Sequence, residues 1–359
     1  MPDLKSLDDL SIYGSLDPEG MLAHLHAFPY ECAKACDMAM RFPLPPELRS
    51  VNGVVVLGMG GSAIGGDLVA SLAEAHSKVP VRVCRGYTLP AHADRNTLVM
   101  ASSYSGNTEE TLACFEQSLE RGCCNLAITT GGKLKHMASR GGVPVFGFDY
   151  ASPPRAALPY SFMAILCFLR RLGLLQDSDS DLDETMEVLK EQGGILDESM
   201  PTAENPAKQL AHYLADRLSV IYGAEFLSEV AHRWKTQINE NSKAWAFHEV
   251  FPELNHNAVV GFKHPASINR HVCVAMLESP SLSPRVRLRY DVTQKLLDRA
   301  GIEYRRIPAP GRSQVAQMMG LILLGDYVSY YLAILNGERP TPVDAIDYLK
   351  SELARFGDA

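Results

Sequence analysis

Residues 54–67 read V-V-V-L-G-M-G-G-S-A-I-G-G-D. A run of β-branched residues breaks into glycines and small residues, and the helical pattern Leu68-Val69-Ala70-Ser71-Leu72-Ala73 follows. That order predicts a buried parallel strand, a tight loop and a helix. Such a junction suits an anion, because glycines let backbone N–H groups approach a ligand and the helix N-terminus adds unpaired donors with partial positive charge.

The same rhythm extends in both directions. Segments 80–84, 97–101, 125–129 and 143–146 read as further strands with helical patterns such as Thr108 to Arg121 between them, so the stretch predicts a doubly wound α/β sheet. A long apolar helix follows Ala156 as far as about Leu175, and Gln176-Asp177-Ser178-Asp179-Ser180-Asp181 marks an exposed acidic turn before an amphipathic helix to about Gln192. From about Asn205 the alternation returns. Strands are expected at 218–223, 257–262, 272–277 and 302–307, with helices at 224–237, 283–300 and 314–335. Ahead of the opening stretch, Asp17-Pro18-Glu19-Gly20 predicts a helix start and Pro43-Leu44-Pro45-Pro46-Glu47 a rigid end. The expected organisation is a helical preface over residues 1–50, a first α/β domain over 51–175, an acidic linker and helix over 176–204, and a second α/β domain over 205–359 that keeps the scaffold without the glycine cluster.

Composition narrows the function classes. With 359 residues, 46% of them hydrophobic, the chain can bury a large core. No apolar run is read as reaching the ~18 residues of a membrane span. The N-terminus is acidic where a leader is basic, so the expectation is a cytoplasmic protein without membrane contact. A net charge of −8 argues against a nucleic-acid partner. Eight cysteines show no framework spacing and are expected to be free thiols. His24-x-His26 with Cys32 and Cys36 reads as helical surface interrupted at Phe28-Pro29-Tyr30 rather than as a metal site.

Two motifs compete for the anion. Gly58-x-Gly60-x-x-Ala63 fits the dinucleotide fingerprint, but the second strand runs into Cys84-Arg85-Gly86-Tyr87 and offers no acid for a ribose. Against it stands Ser102-Ser103-Tyr104-Ser105-Gly106-Asn107-Thr108-Glu109-Glu110-Thr111 at the end of the third strand. Hydroxyls at 103, 105 and 108, beside a glycine and ahead of a helix, can converge on one phosphate from a neighbouring strand end.

Together the Gly58–Ala63 and Ser103–Thr111 motifs resemble the sugar isomerase (SIS) domain, and nearly the whole chain is similar to the bifunctional phosphoglucose/phosphomannose isomerases. Gln237-Ile238-Asn239-Glu240-Asn241-Ser242-Lys243 and Glu253-Leu254-Asn255-His256-Asn257 are similar to the family segments that hold the catalytic glutamate and histidine. The resemblance implies two similar doubly wound SIS-type domains, each with a parallel sheet flanked by helices. It implies Glu240 as the base that moves a proton between C1 and C2, and His256 assisting ring opening from the neighbouring subunit of a homodimer. It also implies Arg155 stabilising the enediolate, Lys350 assisting ring opening, and Gly61, Ser62, Ser103, Ser105 and Thr108 holding the phosphate. Thr341 stands near a threonine that the family links to mannose activity and is kept outside the core set.

A carboxylate and an imidazole suit the chemistry on their own terms, since moving a carbonyl between C1 and C2 requires a base and opening a sugar ring requires an acid. The expected activity is interconversion of fructose 6-phosphate with glucose 6-phosphate and mannose 6-phosphate through a cis-enediolate, with hexose 6-phosphate as ligand and no metal or cofactor. Two other readings stay open at this point: a phosphosugar-binding regulator without catalysis, and a nicotinamide dehydrogenase.

Overall fold

Strand β1 (Gly53–Leu57) forms where the valines predict it, and its residues alternate between two faces: Val54 and Val56 enter one apolar cluster, Val55 and Leu57 a second. In the computed structural model, which describes residues 6–176 and 179–355, helices α1 (Ser11–Leu16) and α2 (Met21–Arg41) precede it. Helix α3 (Gly60–His76), β2 (Val81–Cys84), β3 (Thr97–Ser102), α4 (Glu109–Glu120), β4 (Cys124–Thr129), α5 (Gly132–Arg140), β5 (Val145–Gly147) and α6 (Leu158–Arg171) follow. The five strands pair in parallel in the order β2-β1-β3-β4-β5, with Val54 opposite Leu98 and Val56 opposite Met100. Both faces are covered, which is why β3 is buried along its whole length.

The rest of the chain repeats the plan. Helices α7 (Asp179–Leu196) and α8 (Pro206–Leu214) lead to β6 (Leu218–Ala224), α9 (Ser228–Ser242), β7 (Ala246–Phe251), β8 (Val272–Glu278), α10 (Pro284–Ala300), β9 (Glu303–Pro308), α11 (Gln314–Asn336) and α12 (Asp344–Arg355). The second sheet is parallel in the order β7-β6-β8-β9, the first sheet's order without its last strand. One apolar cluster runs from Leu7 through both sheets to Leu335.

Several expectations need correcting. Residues 257–262 form no strand; Ala258–Lys263 is a 3₁₀ helix started by the Asn257 side chain, with Val260 72% exposed. The missing strand is the edge strand β7, whose sequence A-F-H-E-V-F is interrupted by His248 and Glu249 and so forms no continuous apolar run. Helix α2 begins at Met21 rather than at Pro18, yet Asp17 still caps it, accepting the Met21 and Leu22 N–H groups at 2.8 Å each. That helix also continues through Pro29. His24 turns to Tyr150 and His26 to Glu198, each at 2.8 Å, while Cys32 is buried, so the four residues do not converge. All eight cysteines are free thiols. Of the acidic turn, Asp177 and Ser178 lie outside the described residues, and α7 starts at Asp179. Residues 1–5 of the acidic N-terminus lie outside them too.

Helix α11 corrects the apolar-run expectation. Its length and composition suffice to cross a bilayer, but its apolar window is entirely buried inside the protein. It forms the central pillar, and α9 packs along it. The Trp234 indole sits in a notch at Gly325 and donates Nε1–H to the Leu321 carbonyl at 2.8 Å. Replacing Gly325 with Ala gains about 1 kcal/mol of helix propensity, but the new Cβ falls on the fully buried indole. Overpacking and loss of the indole hydrogen bond together cost roughly 2–4 kcal/mol. Gly325→Ala is therefore expected to lower the melting temperature; an unchanged or raised value would contradict this packing.

Candidate active site

At the switch point where the first sheet reverses order, the loops after β1 and β3 face each other at the strands' carboxyl ends. They are joined directly, because the Tyr104 N–H donates to the Ser62 hydroxyl at 3.2 Å. Ser103 is buried; its hydroxyl contacts Thr108 Oγ1 at 3.0 Å and accepts the Gly106 N–H at 3.1 Å. Ser105 is exposed and accepts the Asn107 N–H at 3.2 Å. Gly106 takes φ +67° and leaves no room for a Cβ against Gly131. Four hydroxyls and the start of α3 thus line one rim, with Tyr104 OH bonded to the Tyr150 carbonyl at 2.7 Å and accepting from Ser152 N–H at 3.0 Å. Gly61 is small for a specific reason: a Cβ there would lie 2.8 Å from the Pro154 carbonyl and 3.2 Å from Arg155 Cα.

That contact brings Arg155 to the rim. Its side chain is 4% exposed, and every direction of its guanidinium is used. Nε donates to Asn241 Oδ1 at 2.6 Å, Nη2 to the Pro340 and Thr341 carbonyls at 2.8 Å each, and Nη1 lies 3.6 Å from Glu240 Oε2. Burial pulls the guanidinium pKa down and Glu240 pushes it back up. Glu240 ends α9 beside Lys243, which takes φ +54° and whose ammonium donates to the carbonyls of Glu240, Asn241, Arg339 and Pro340.

A cavity of about 190 Å³ lies between these groups, lined by Gly60, Gly61, Arg155, Gln237 and Glu240. Glu240 also lines a wider cleft of about 670 Å³ against residues 337–346. A carboxylate beside a fixed cation, in a cavity that also touches the glycines opening α3, can bind an anionic polyol and move a proton next to a carbonyl. Polar atoms here remain without protein partners: Arg233 Nε, Asp326 Oδ1 and Thr341 Oγ1 are buried and unpaired.

Six sequence candidates line neither cavity: Ser62, Ser103, Ser105 and Thr108, which keep to the hydroxyl rim, and His256 and Lys350, which stand apart from the rim as well. His256 is exposed in a 3₁₀ turn (Glu253–His256) after β7 and lines neither cavity that Glu240 lines. Lys350 is exposed on α12. Sequence reasoning passed over Arg85, His232, Arg233 and Thr236, which complete the cavity wall. Helical spacing could have found two of them, since His232, Thr236 and Glu240 recur every fourth residue on α9. Arg85, which stands at the end of the second strand where a ribose-binding acid is missing, pairs with Asp67 at 3.0 Å.

The second sheet has its own switch point, between β6 and β8. There Glu225, at φ +49°, presents its carboxylate to the Ser283 N–H at 3.1 Å, ahead of α10. An internal anion sits where the first sheet leaves its rim open.

Comparison with known proteins agrees with this layout. Residues 203–353 match the bacterial phospho-glucose isomerase C-terminal SIS domain. A bifunctional phosphoglucose/phosphomannose isomerase of Caldicellulosiruptor bescii is 41% identical over 339 residues, covering 94% of this chain and 100% of its own. One of Aquifex aeolicus is 36% identical, covering 86% and 92%. Among solved structures, a hypothetical protein from Thermus thermophilus superposes with a TM-score of 0.72 at 18% identity, covering 97% of this chain and 93% of that one.

The Arg155 geometry makes a prediction of its own. A lysine cannot fork between α9 and two carbonyls at once, so Arg155→Lys strands buried acceptors at a cost of roughly 2–4 kcal/mol. Expected are a lower melting temperature and faster amide hydrogen exchange across residues 339–343. Wild-type exchange in that segment would show that the guanidinium does not hold it.

Proposed function

The chain belongs to the bifunctional phosphoglucose/phosphomannose isomerase family, and from that premise we propose that it interconverts fructose 6-phosphate with glucose 6-phosphate and mannose 6-phosphate through a cis-enediolate. The observation that carries the reading is the Glu240 carboxylate, 3.6 Å from a buried guanidinium in a cavity that opens on Gly60 and Gly61. In this scheme the Ser62, Ser103, Ser105 and Thr108 hydroxyls hold the phosphate, and Gly61 lets the rim close on Arg155. Glu240 takes the proton from C2 of the aldose and returns it to C1, while Arg155 stabilises the charge that develops on O1 and O2. Either C2 epimer serves if the chain rotates about C2–C3, so one site handles both hexoses. The steps use carboxylate, imidazole, ammonium and guanidinium groups and draw on no metal or cofactor. A regulator that binds without turnover has no need of a base beside a cation, and the named relatives are enzymes.

Ring opening falls in this reading to Lys350 and to His256 of the partner subunit in a homodimer. Support comes from exposure: Trp245 (73%), just before β7, and Phe247 (41%) within it pack with tilted rings 5.0 Å apart, a short way before His256. An uncovered apolar sheet edge of this kind calls for a partner. A cytoplasmic, metabolic role fits the same picture.

A coupled assay on both aldose phosphates is expected to show turnover that survives chelator treatment. Glu240→Gln should reduce it by roughly 10²–10⁴-fold while phosphosugar binding persists; full activity in that variant would sink the assignment. For the shared site, mixing Glu240→Gln with His256→Asn protomers is expected to restore about a quarter of wild-type activity, because half the dimers regain one intact site of two. No recovery after subunit exchange would place His256 outside the partner's site.

A further inference from the structure

The reaction needs proton transfer at both ends of the C1–O5 bond, an acid for the ring oxygen and a base for the O1 hydroxyl. We propose that His232 is the base, a catalytic residue contributed by the same chain as Glu240 and oriented by Glu229. The inference rests on the isomerase reading and adds to it a residue outside the family match.

Its position is the first argument. His232 lies two turns before Glu240 on α9, and both line the cavity with Arg155. A group on that face of a rigid helix is held in fixed relation to the C1–C2 base. Its orientation is the second. Nδ1 meets Glu229 Oε2 at 3.0 Å, and burial of Glu229 is outweighed by His232, His248 and Arg85, so its carboxyl stays below its ordinary pKa and ionised. An ionised carboxylate accepts, which makes Nδ1 the donor and leaves Nε2 as the basic nitrogen. The third is the set of surroundings. The His248 ring from β7 stacks on His232 at 4.7 Å, and burial lowers its pKa, so a neutral ring backs the imidazole. Asp67 from α3 lies close enough that its carboxylate, the Glu229 carboxylate and a His232 ring nitrogen are all within 4.8 Å of one another. Arg85, paired with Asp67, and Lys235 on α9 are the nearby cations. His256 and Lys350 line neither cavity in the single chain, so His232 is the imidazole this chain itself supplies.

The step balances. Nε2 takes the O1–H proton as the C1=O1 bond forms. The C1–O5 electron pair moves to O5, which takes a proton from the acid, Lys350 or His256 of the partner subunit. The reverse transfers close the ring.

Ring opening can be read without isomerisation, as exchange between the α and β anomers of glucose 6-phosphate followed by magnetisation-transfer NMR. Glu240→Gln protein is expected to catalyse that exchange above the spontaneous rate, and the Glu240→Gln/His232→Gln double variant to do so about 10²-fold more slowly. Glu229→Gln keeps the imidazole but removes the carboxylate that orients it through Nδ1. In the Glu240→Gln background it is expected to slow anomer exchange about 10-fold while phosphosugar binding persists. This variant keeps the test sound if His232→Gln misfolds. Equal anomer exchange with and without His232, no exchange by Glu240→Gln, or undiminished exchange on adding Glu229→Gln to it overturns the inference alone. Absence of isomerisation by the wild-type protein overturns the isomerase reading and this inference with it.

Discussion

A guanidinium buried to 4% exposure must have its donors satisfied, and Arg155 satisfies them by drawing together three parts of the chain that are far apart in sequence. Its Nε binds the end of α9 through Asn241, and its Nη2 binds the 340–341 carbonyls that precede α12. Its backbone carbonyl accepts from Arg233 at 3.0 Å, and its Cα lies against Gly61 at the start of α3. Removing a side chain that meets these demands leaves several buried acceptors unpaired at once. The position of Glu240 relative to the hydroxyl rim follows from this knot, because Glu240 has no other anchor to the first sheet among the described residues than Nη1 of Arg155.

The two sheets repeat one topology, yet only one presents an open anion rim, and the difference comes down to local chemistry. After β1 the chain uses glycines and Ser62, which leave the helix start accessible. After β6 it uses the exposed Glu225, whose carboxylate accepts the Ser283 N–H ahead of α10. A neutralised second site frees the second half for a different task, and α9 takes it. The helix that corresponds to α3 carries the carboxylate and the basic side chains instead of a phosphate loop. Division of labour between the repeats is therefore visible as the same positions carrying opposite charge preferences.

Much of this was legible beforehand because it depends on short-range pattern. The valine run, the glycines and the serine loop specify a strand, a turn and a convergent set of donors within a few residues each, and the first sheet follows them closely. What stayed hidden depends on long-range pairing. Strand β7 lies at a sheet edge and has no continuous apolar run, because His248 and Glu249 interrupt it, whereas Val259-Val260-Gly261-Phe262 looks like a strand and lies on the surface instead. Arg155 could be matched to a family position, but no local signal says that Asn241, Pro340 and Thr341 would bind it. His232 and Thr236 were readable only once Glu240 fixed which face of α9 matters.

Helix α11 shows why so apolar a segment belongs in a catalytic protein. It is buried along nearly its whole length, so its apolar character reports burial rather than a bilayer. Two of its polar residues meet α9: Asp326 binds Arg233 at 2.9 Å, and Ser329 takes Asn241 Nδ2–H at 2.9 Å while its carbonyl accepts the Ser242 hydroxyl at 2.8 Å. Apolar packing alone would tolerate a slide of one helix along the other, since hydrophobic contact is not directional. Buried hydrogen bonds do not, because a shifted register leaves each group unpaired at a cost of about 1–3 kcal/mol. The Trp234 indole in the Gly325 notch adds a steric stop at the same level. Helix α9 is thereby pinned to the core at four residues, 233, 234, 241 and 242, while His232, Thr236 and Glu240 line the cavity beside Arg233. The precision that proton transfer demands of these side chains is supplied by the polar exceptions on the most apolar helix in the molecule.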